Sequence, residues 1–353
     1  MSSFNGDKLN ITVFGGSHTQ EIGVVVQGLP LGLKVDRKAL AEFMSRRAPG
    51  GAFSTKRKEP DLVEFKLGLD ENDVICSNTL RAVIKNTDVR SKDYGNIKLL
   101  PRPSHADYSA YMKYGLDFDM RGGAHFSGRL TAPLCIVGGI CMQYLKEKGI
   151  EIGAHLSSVG KVSDVAYDKV LNQIESNQAD FPAIDIEKSK LMQKEIVDAS
   201  NMLDSVGATI ECKAINVPVG LGDHPFDGVE NKLAQVMFAI PGVKGFEMGL
   251  GFESSCLLGS QNNDTFTFLD GKVVTKTNNS GGVNGGITNG MPLVFKVALK
   301  TTPSIAKPQT SVNLETMQEE ILEIKGRHDP CIGVRAVPVV QACTAIVLMD
   351  LIK

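Results

Sequence analysis

Two kinds of side chain stand where they could do chemistry: histidines in polar loops and arginines gathered into two parts of the chain. His18 lies in the stretch FGGSHTQ, between small residues, where a strand-like run ends. His105 lies in RPSHADY, residues 102–108, on backbone stiffened by Pro101 and Pro103. Both could titrate near neutrality and exchange a proton with a ligand. Taken singly, each also reads as a turn or hydrogen-bonding residue, as His155 and His224 do.

The arginines number eleven, nine of them between Arg37 and Arg129 and the others Arg327 and Arg335. From residue 130 to residue 326 the chain uses lysine alone. The planar fork of arginine matches carboxylate and phosphate oxygens two at a time, which the lysine ammonium does not. Bringing the two arginine segments together would build one anionic site. Arg46 and Arg47 also sit in the last turn of an expected helix, where the helix dipole alone favours cations.

Three glycine-marked segments could wrap a ligand: RGGAHFSGR (121–129), NNSGGVNGGITNG (278–290) and KGRHDPC (325–331). Glycines permit positive φ and close backbone approach, and successive exposed N–H groups can cradle an anion. The first of them precedes an apolar helix, a natural place for phosphate. A glycine loop is equally a turn, and no GxGxxG follows a strand and no GxxxxGK[ST] is present. HExxH and CxxC spacings are missing, so no metal site is expected, and GxSxG is missing as well.

The elements that must position these residues come from hydrophobic period and caps. Strands are expected over residues 9–14, 22–27, 208–217, 266–276 and 292–300. Helices are expected over 39–47 (capped by Asp36), 131–148, 189–206, 229–239, 314–325 (capped by Asn313) and 337–351. Strands and helices without regular βα alternation predict an α+β fold, with residues 1–353 as one compact unit.

The chain has 353 residues, 42% hydrophobic and 22% charged, with net charge −2. This is soluble globular composition, with no whole-chain reason to expect nucleic acid or an acidic membrane surface. Seven scattered cysteines, an odd number, suggest free thiols in a reducing cytoplasm. No leader and no apolar run long enough to span a membrane is expected.

In order and spacing, these segments resemble the chorismate synthase family over nearly the whole chain. FGGSHTQEIGVVVQGLP is similar to the family's FGESHG opening, with Gly16 where the family has glutamate and Thr19 where it has glycine. SRRAPGG resembles the RRxPG helix end, and GGAHFSGRLTAP resembles one branch of the family's GG…S.R.TA segment. NTDVRSKDYG, RPSHADYSAYMKYG, SGGVNGGITNG and GRHDPCIGVRAVP match closely.

The resemblance implies a homotetramer of β-α-β sandwich subunits, helices lying between two antiparallel sheets. It implies conversion of 5-enolpyruvylshikimate 3-phosphate to chorismate by loss of phosphate and a ring proton from opposite faces. Reduced FMN is required without net redox change; with no reductase domain or dinucleotide fingerprint in view, it is expected from an external source. Carried over by position, His18, His105 and Asp329 would be catalytic. Ser17, Arg46, Arg47, Arg129 and Arg335 would bind substrate. His125, Phe126, Ser127, Pro241, Gly242, Gly285, Lys300, Thr301, Thr302, Pro303, Ser304 and Arg327 would contact FMN. The alternative is a diverged flavin- or phosphometabolite-binding homologue with little catalysis.

Overall fold

The computed structural model describes residues 2–50, 53, 60–87, 99–176, 181–324 and 329–352. Five strands, β1 (Ser2–Asn5), β2 (Asn10–Gly15), β3 (Glu21–Gln27), β4 (Val63–Leu67) and β5 (Thr79–Lys85), form an antiparallel sheet in the order β1-β2-β3-β5-β4. Register puts Ile22, Val24 and Val26 opposite Ile84, Ala82 and Leu80. All six are buried, so period-two alternation gives this sheet one apolar face. Helix α1 (Arg37–Arg47) follows β3, and Asp36 caps it by accepting from the N–H groups of Lys38 and Ala39 at 2.9 Å.

Helices α2 (Asp107–Tyr114) and α3 (Thr131–Glu147) lead into β6 (Glu151–Val159), β7 (Val162–Ser163), α4 (Ile186–Asn201), β8 (Ala208–Ile215), α5 (Val229–Phe238) and β9 (Val243–Met248). Then come α6 (Gly259–Asn262), a hairpin of β10 (Phe266–Leu269) and β11 (Lys272–Thr275), a smaller one of β12 (Val283–Asn284) and β13 (Ile287–Thr288), and β14 (Leu293–Leu299). A second antiparallel sheet runs β7-β6-β8-β14-β9. Leu156, Ile210 and Val297 lie in one cross-strand row, fully buried, with Cys212 and Phe295 in the next. The hairpin of β15 (Gln309–Asn313) and β16 (Gln318–Leu322) precedes the last helix, α7 (Gly333–Leu351).

Helix α3 packs on β3 and β5 of the first sheet, α7 packs on β6 and β8 of the second, and the two helices pack on each other. One hydrophobic core joins all of these elements. Two glycines make the approach of the helices possible. A Cβ at Gly138 would run into the backbone and side chain of Ala342 on α7, and one at Gly139 would stand 2.6 Å from Leu40 on α1. At the far end of α7 the buried Asp350 carboxylate accepts from the backbone N–H groups of Asp7, Lys8 and Leu9 at 2.8–3.0 Å.

The α+β class agrees with expectation, and three element assignments need correction. The helix expected over 314–325 does not form in the described part, residues 314–324: Asn313 does accept from the N–H groups of Glu315 and Thr316, but Met317 at φ 57° turns the chain back into β16. Residues 266–276 are two strands joined at Asp270 and Gly271, both with positive φ. Helix α7 is by length and composition apolar enough to cross a membrane, contrary to the expectation of no such run, and is here a core helix with 16 of its 19 residues buried.

Candidate active site

Three helix ends meet at one cavity of about 660 Å³. Its walls include Arg47 from the end of α1, Arg129 and Thr131 at the start of α3, and Ile332, Arg335 and Ala336 at the start of α7. Neither α3 nor α7 has a side-chain N-cap, so the positive ends of two long helices face the space with the guanidinium groups. Arg102, Lys244 and Lys300 add further positive charge, and Asp329 adds one carboxylate.

The arginines are held firmly. Arg47 Nε and Nη2 donate to Asp61 Oδ2 at 3.0 and 2.5 Å, and Arg129 Nη1 donates to Asp61 Oδ1. Arg129 Nε donates to Asn86 Oδ1 at 3.0 Å. Arg335 Nη1 donates to Asp329 Oδ2 at 2.7 Å, and its Nε donates to the backbone carbonyl of Arg47 at 2.9 Å. Burial lowers the Arg335 pKa, with Asp329 working against it.

His105 sits in a network rooted on the first turn of α2. Arg102 forks onto Asp107, Nε to Oδ2 and Nη2 to Oδ1, each at 2.7 Å, and its Nη1 donates to Ser304 Oγ at 3.1 Å. His105 Nδ1 lies 2.6 Å from Asp107 Oδ1 and 3.1 Å from Arg102 Nη2. With Nδ1–H given to the carboxylate, Nε2 is the ring's acceptor nitrogen. Burial pushes Asp107 upward, but the hydrogen bonds from Arg102 and His105 outweigh it and hold the carboxyl well below its usual range. Burial also lowers His105, more than its bond to Asp107 raises it, so the imidazole is neutral at pH 7.

His18 is set one layer back. The Ser17 hydroxyl donates to the carbonyl of Gly122, a cavity-lining residue, at 3.1 Å. Its oxygen, 2.8 Å from His18 Nδ1, then accepts Nδ1–H, which places the acceptor lone pair at Nε2. Gly122 has φ 61°, and a Cβ there would collide with both Ser17 Oγ and the His18 ring. The turn is closed by Thr19 Oγ1, which accepts from the Gly16 N–H at 2.9 Å. Asn86 Nδ2 donates to the carbonyls of Gly16 and Thr19, tying the same turn to β5 and, through Oδ1, to Arg129.

The remaining wall is aromatic and hydroxyl-bearing. The rings of His125 and Phe126 lie 4.1 Å apart, and Phe118 and Tyr114 stand edge-on to His125. Facing it, Pro241 and Gly242 follow α5, and Lys300 to Ser304 leave β14. Lys300 N–H donates to the Gly242 carbonyl at 2.9 Å, and Lys300 Nζ donates to the carbonyl of Ser104. Thr302 Oγ1 is buried with no hydrogen-bond partner among the described residues.

The cavity thus gathers His105, Asp329, Arg47, Arg129, Arg335, His125, Phe126, Ser127, Pro241, Gly242 and residues 300–304 of the expected set. Ser17 and His18 stand directly behind Gly122. Arg46 does not line the cavity; its guanidinium lies 5.8 Å from the centre of the Phe43 ring. Gly285 lies in the turn between β12 and β13, also outside the lining. Arg327 falls outside the described residues, as does most of NTDVRSKDYG. Four polar residues around the site had no role assigned from sequence: Arg102, Asp107, Asp61 and Asn86. Arg102 carried a signal, as a member of the arginine cluster. Asp61 carried none, because KEPDLVEF reads as a charged, solvated string.

Comparison with known proteins is consistent along the chain. The chorismate synthase family model matches residues 9–352. The chain is 40% identical to a chorismate synthase of Lancefieldella parvula, over 99% of this chain and 96% of that one. It is 43% identical to one of Pyrococcus abyssi, over 98% and 96%. A crystal structure of chorismate synthase superposes with a TM-score of 0.74 at 26% identity, covering 98% of this chain and 92% of that one.

Proposed function

Since the chain belongs to the chorismate synthase family, we propose that the cavity converts 5-enolpyruvylshikimate 3-phosphate to chorismate, as a lyase of aromatic biosynthesis. The observation that carries this reading is the convergence of Arg47, Arg129 and Arg335 with two helix N-termini beside His105 and Asp329. The substrate brings two carboxylates and a phosphate, and this lining offers charge-assisted donors to all of them. No observation among the described residues favours a non-catalytic homologue.

The cavity's second wall fits FMN by the chemistry of its donors. The His125–Phe126 pair offers an aromatic surface, its rings tilted by 36°, Lys300 an ammonium, and Thr301, Thr302 and Ser304 hydroxyls, with Thr302 Oγ1 buried and unpartnered among the described residues. Arg327, Gly285 and Arg46 belong to the same proposal through the family resemblance alone. The chemistry that reduced FMN supplies when bound is reversible donation of electron density, with no net oxidation of the substrate.

The protein's own groups do the rest. Arginine forks orient the substrate so that its C–O bond to phosphate faces the cation-rich end. As that bond breaks, the electron pair leaves with phosphate. His18, one layer behind Gly122, joins this proposal through the family resemblance alone: with Nδ1–H on Ser17, it serves the departing oxygen as a donor from a protonated Nε2. The Asp329 carboxylate, held by Arg335, is the base that takes up the ring proton, and the new C=C bond balances the elimination. Neutral His105, its Nδ1–H committed to Asp107, offers the ligand the Nε2 lone pair as an acceptor without adding charge. The wall of residues 241–242 and 300–304 excludes water from the leaving phosphate.

The sandwich architecture is part of the same proposal, supported by α3 on one sheet, α7 on the other and the contact between them. So are residues 1–353 as one domain, a homotetramer, a cytoplasmic site of action and an external supply of reduced FMN. The test is anaerobic incubation with chemically reduced FMN and 5-enolpyruvylshikimate 3-phosphate. Chorismate absorbance and phosphate release should rise together; tight flavin binding without turnover would reject the reading.

A further inference from the structure

We propose that Asp61 is a positioning residue that sets Arg47 and Arg129 as a matched pair for the substrate's anions; this rests on the chorismate synthase reading above. Asp61 touches no cavity surface. Its two oxygens are divided between the two arginines, Oδ2 to Arg47 and Oδ1 to Arg129. The Asp61 side chain is fully buried, and the two arginine side chains are exposed by only 2% and 3%.

Three observations separate this from an ordinary ion pair. The first is the inversion of burial along the chain. Asp61 is 3% exposed while its neighbour Leu62 is 70% exposed, so the chain turns a carboxylate inward and a leucine outward. A buried ion cluster gives less stability than apolar packing of similar volume, so stability alone does not account for that choice. The second is the backbone: Asp61 holds φ 51°, an uncommon conformation for a residue other than glycine. The third is the reach of the bond set. Arg47 Nη1 donates to Thr131 Oγ1 at 3.3 Å, the Arg47 carbonyl accepts from Arg335, and Arg129 Nε is fixed by Asn86.

Charge balance gives the arrangement its purpose. Two guanidinium groups this close repel each other, and one shared carboxylate holds them together while leaving a net positive charge for a ligand. Remove the carboxylate and both forks swing away, while the bond from Arg335 to the Arg47 backbone carbonyl stays in place. Substrate orientation is lost, whereas the aromatic and hydroxyl wall is untouched.

The test compares Asp61→Asn and Asp61→Glu with the unaltered enzyme, measuring kcat, KM for 5-enolpyruvylshikimate 3-phosphate, FMN affinity by fluorescence and thermal midpoint. Asp61→Asn should raise KM on the order of tenfold to a hundredfold, with a smaller fall in kcat. FMN affinity should stay within about twofold, since no flavin-facing group moves. Asp61→Glu restores the charge and should recover part of the lost KM. An unchanged or lowered KM in folded Asp61→Asn, or FMN affinity falling in parallel, overturns the proposal. If Asp61→Asn does not fold, Asp61→Glu decides: a raised KM supports the role and a wild-type KM rejects it. Unfolding of both assigns Asp61 to the fold alone and rejects it too. Inactivity of the unaltered enzyme instead removes the functional reading, and calorimetric binding of inorganic phosphate, weakened by Asp61→Asn, then judges the pairing on its own.

Discussion

At the scale of single residues, Gly122 and Gly16 make a contrast. A methyl group at Gly122 collides with Ser17 and His18 and must also adopt a positive φ. Gly122→Ala should therefore lower kcat on the order of a hundredfold, the loss of a positioned proton partner, while FMN affinity is kept. Steady-state kinetics beside flavin titration measures both. At Gly16 the nearest atom to an added Cβ is 3.6 Å away, and φ is not positive. Gly16→Ala should change stability by less than about 1 kcal/mol in urea denaturation and leave turnover intact. The turn that holds His18 is thus shaped by Thr19 and Asn86 rather than by the residue at position 16. Two histidines also titrate in opposite directions. Burial lowers His105 below the usual 6.5. Burial would lower His155 as well, but hydrogen bonds to Asp164 and Glu211 outweigh it and raise His155 above 6.5. An NMR titration should find the His105 midpoint below 6.5 and the His155 midpoint above it.

At the scale of elements, the contact between α3 and α7 rests on Gly138. Gly138→Ala forces the helices apart and should cost about 1–3 kcal/mol in urea denaturation, against the small gain that alanine brings to an exposed helix position. Strand β6 carries a different liability. His155 bridges it to Glu211 on β8 and to Asp164, which also accepts from the N–H groups of Ile184 and Asp185. A histidine with a raised folded pKa adds stability that is fully present below pH 6.5 and lost as pH rises through the folded value. The thermal midpoint should fall across that window, and His155→Gln should flatten the fall. These elements also mark the limit of what the sequence makes legible. Residues 22–27, 39–47 and 131–148 have a clear period or cap, and each forms the element expected. Strand β6 (EIGAHLSSV) hides its alternation, because its outward residue His155 is buried under a loop and reads as polar surface. The helix expected over 314–325 fails because one Asn313 cap is compatible with both a helix start and a tight turn, and only the pairing of β16 with β15 decides.

At the scale of the whole molecule, the chain's net charge of −2 conceals a cation-lined cavity. Among the described residues six lysine and arginine side chains line it (Arg47, Arg102, Arg129, Arg335, Lys244 and Lys300) against Asp329. Long-range attraction of a multiply charged anion into such a cleft is screened by salt, so KM should rise several-fold between about 0.01 M and 0.5 M ionic strength while kcat changes little. The arginine distribution forecast this convergence only in part. Arg47, Arg102, Arg129 and Arg335 reach the cavity, whereas Arg37, Arg81 and Arg121 stay at the surface with Asp73, Glu21 and Asp119. Fork chemistry is visible in a sequence; which forks face inward depends on register and on buried partners such as Asp61, whose neighbours give no hint of them.

The Asp350 carboxylate grips the chain start through backbone N–H groups alone. Side chains at positions 7 and 8 contribute nothing to those bonds, so mutational drift there leaves the clasp intact, whereas Leu9 is held by its burial in the core. Position 6 has no such latitude, because any side chain larger than hydrogen would occupy the space of the carboxylate itself. The chain's opening residues therefore carry a tolerance map that side-chain chemistry does not disclose: one fixed glycine, then two letters the clasp leaves open before the core leucine, dictated by an aspartate more than three hundred residues away.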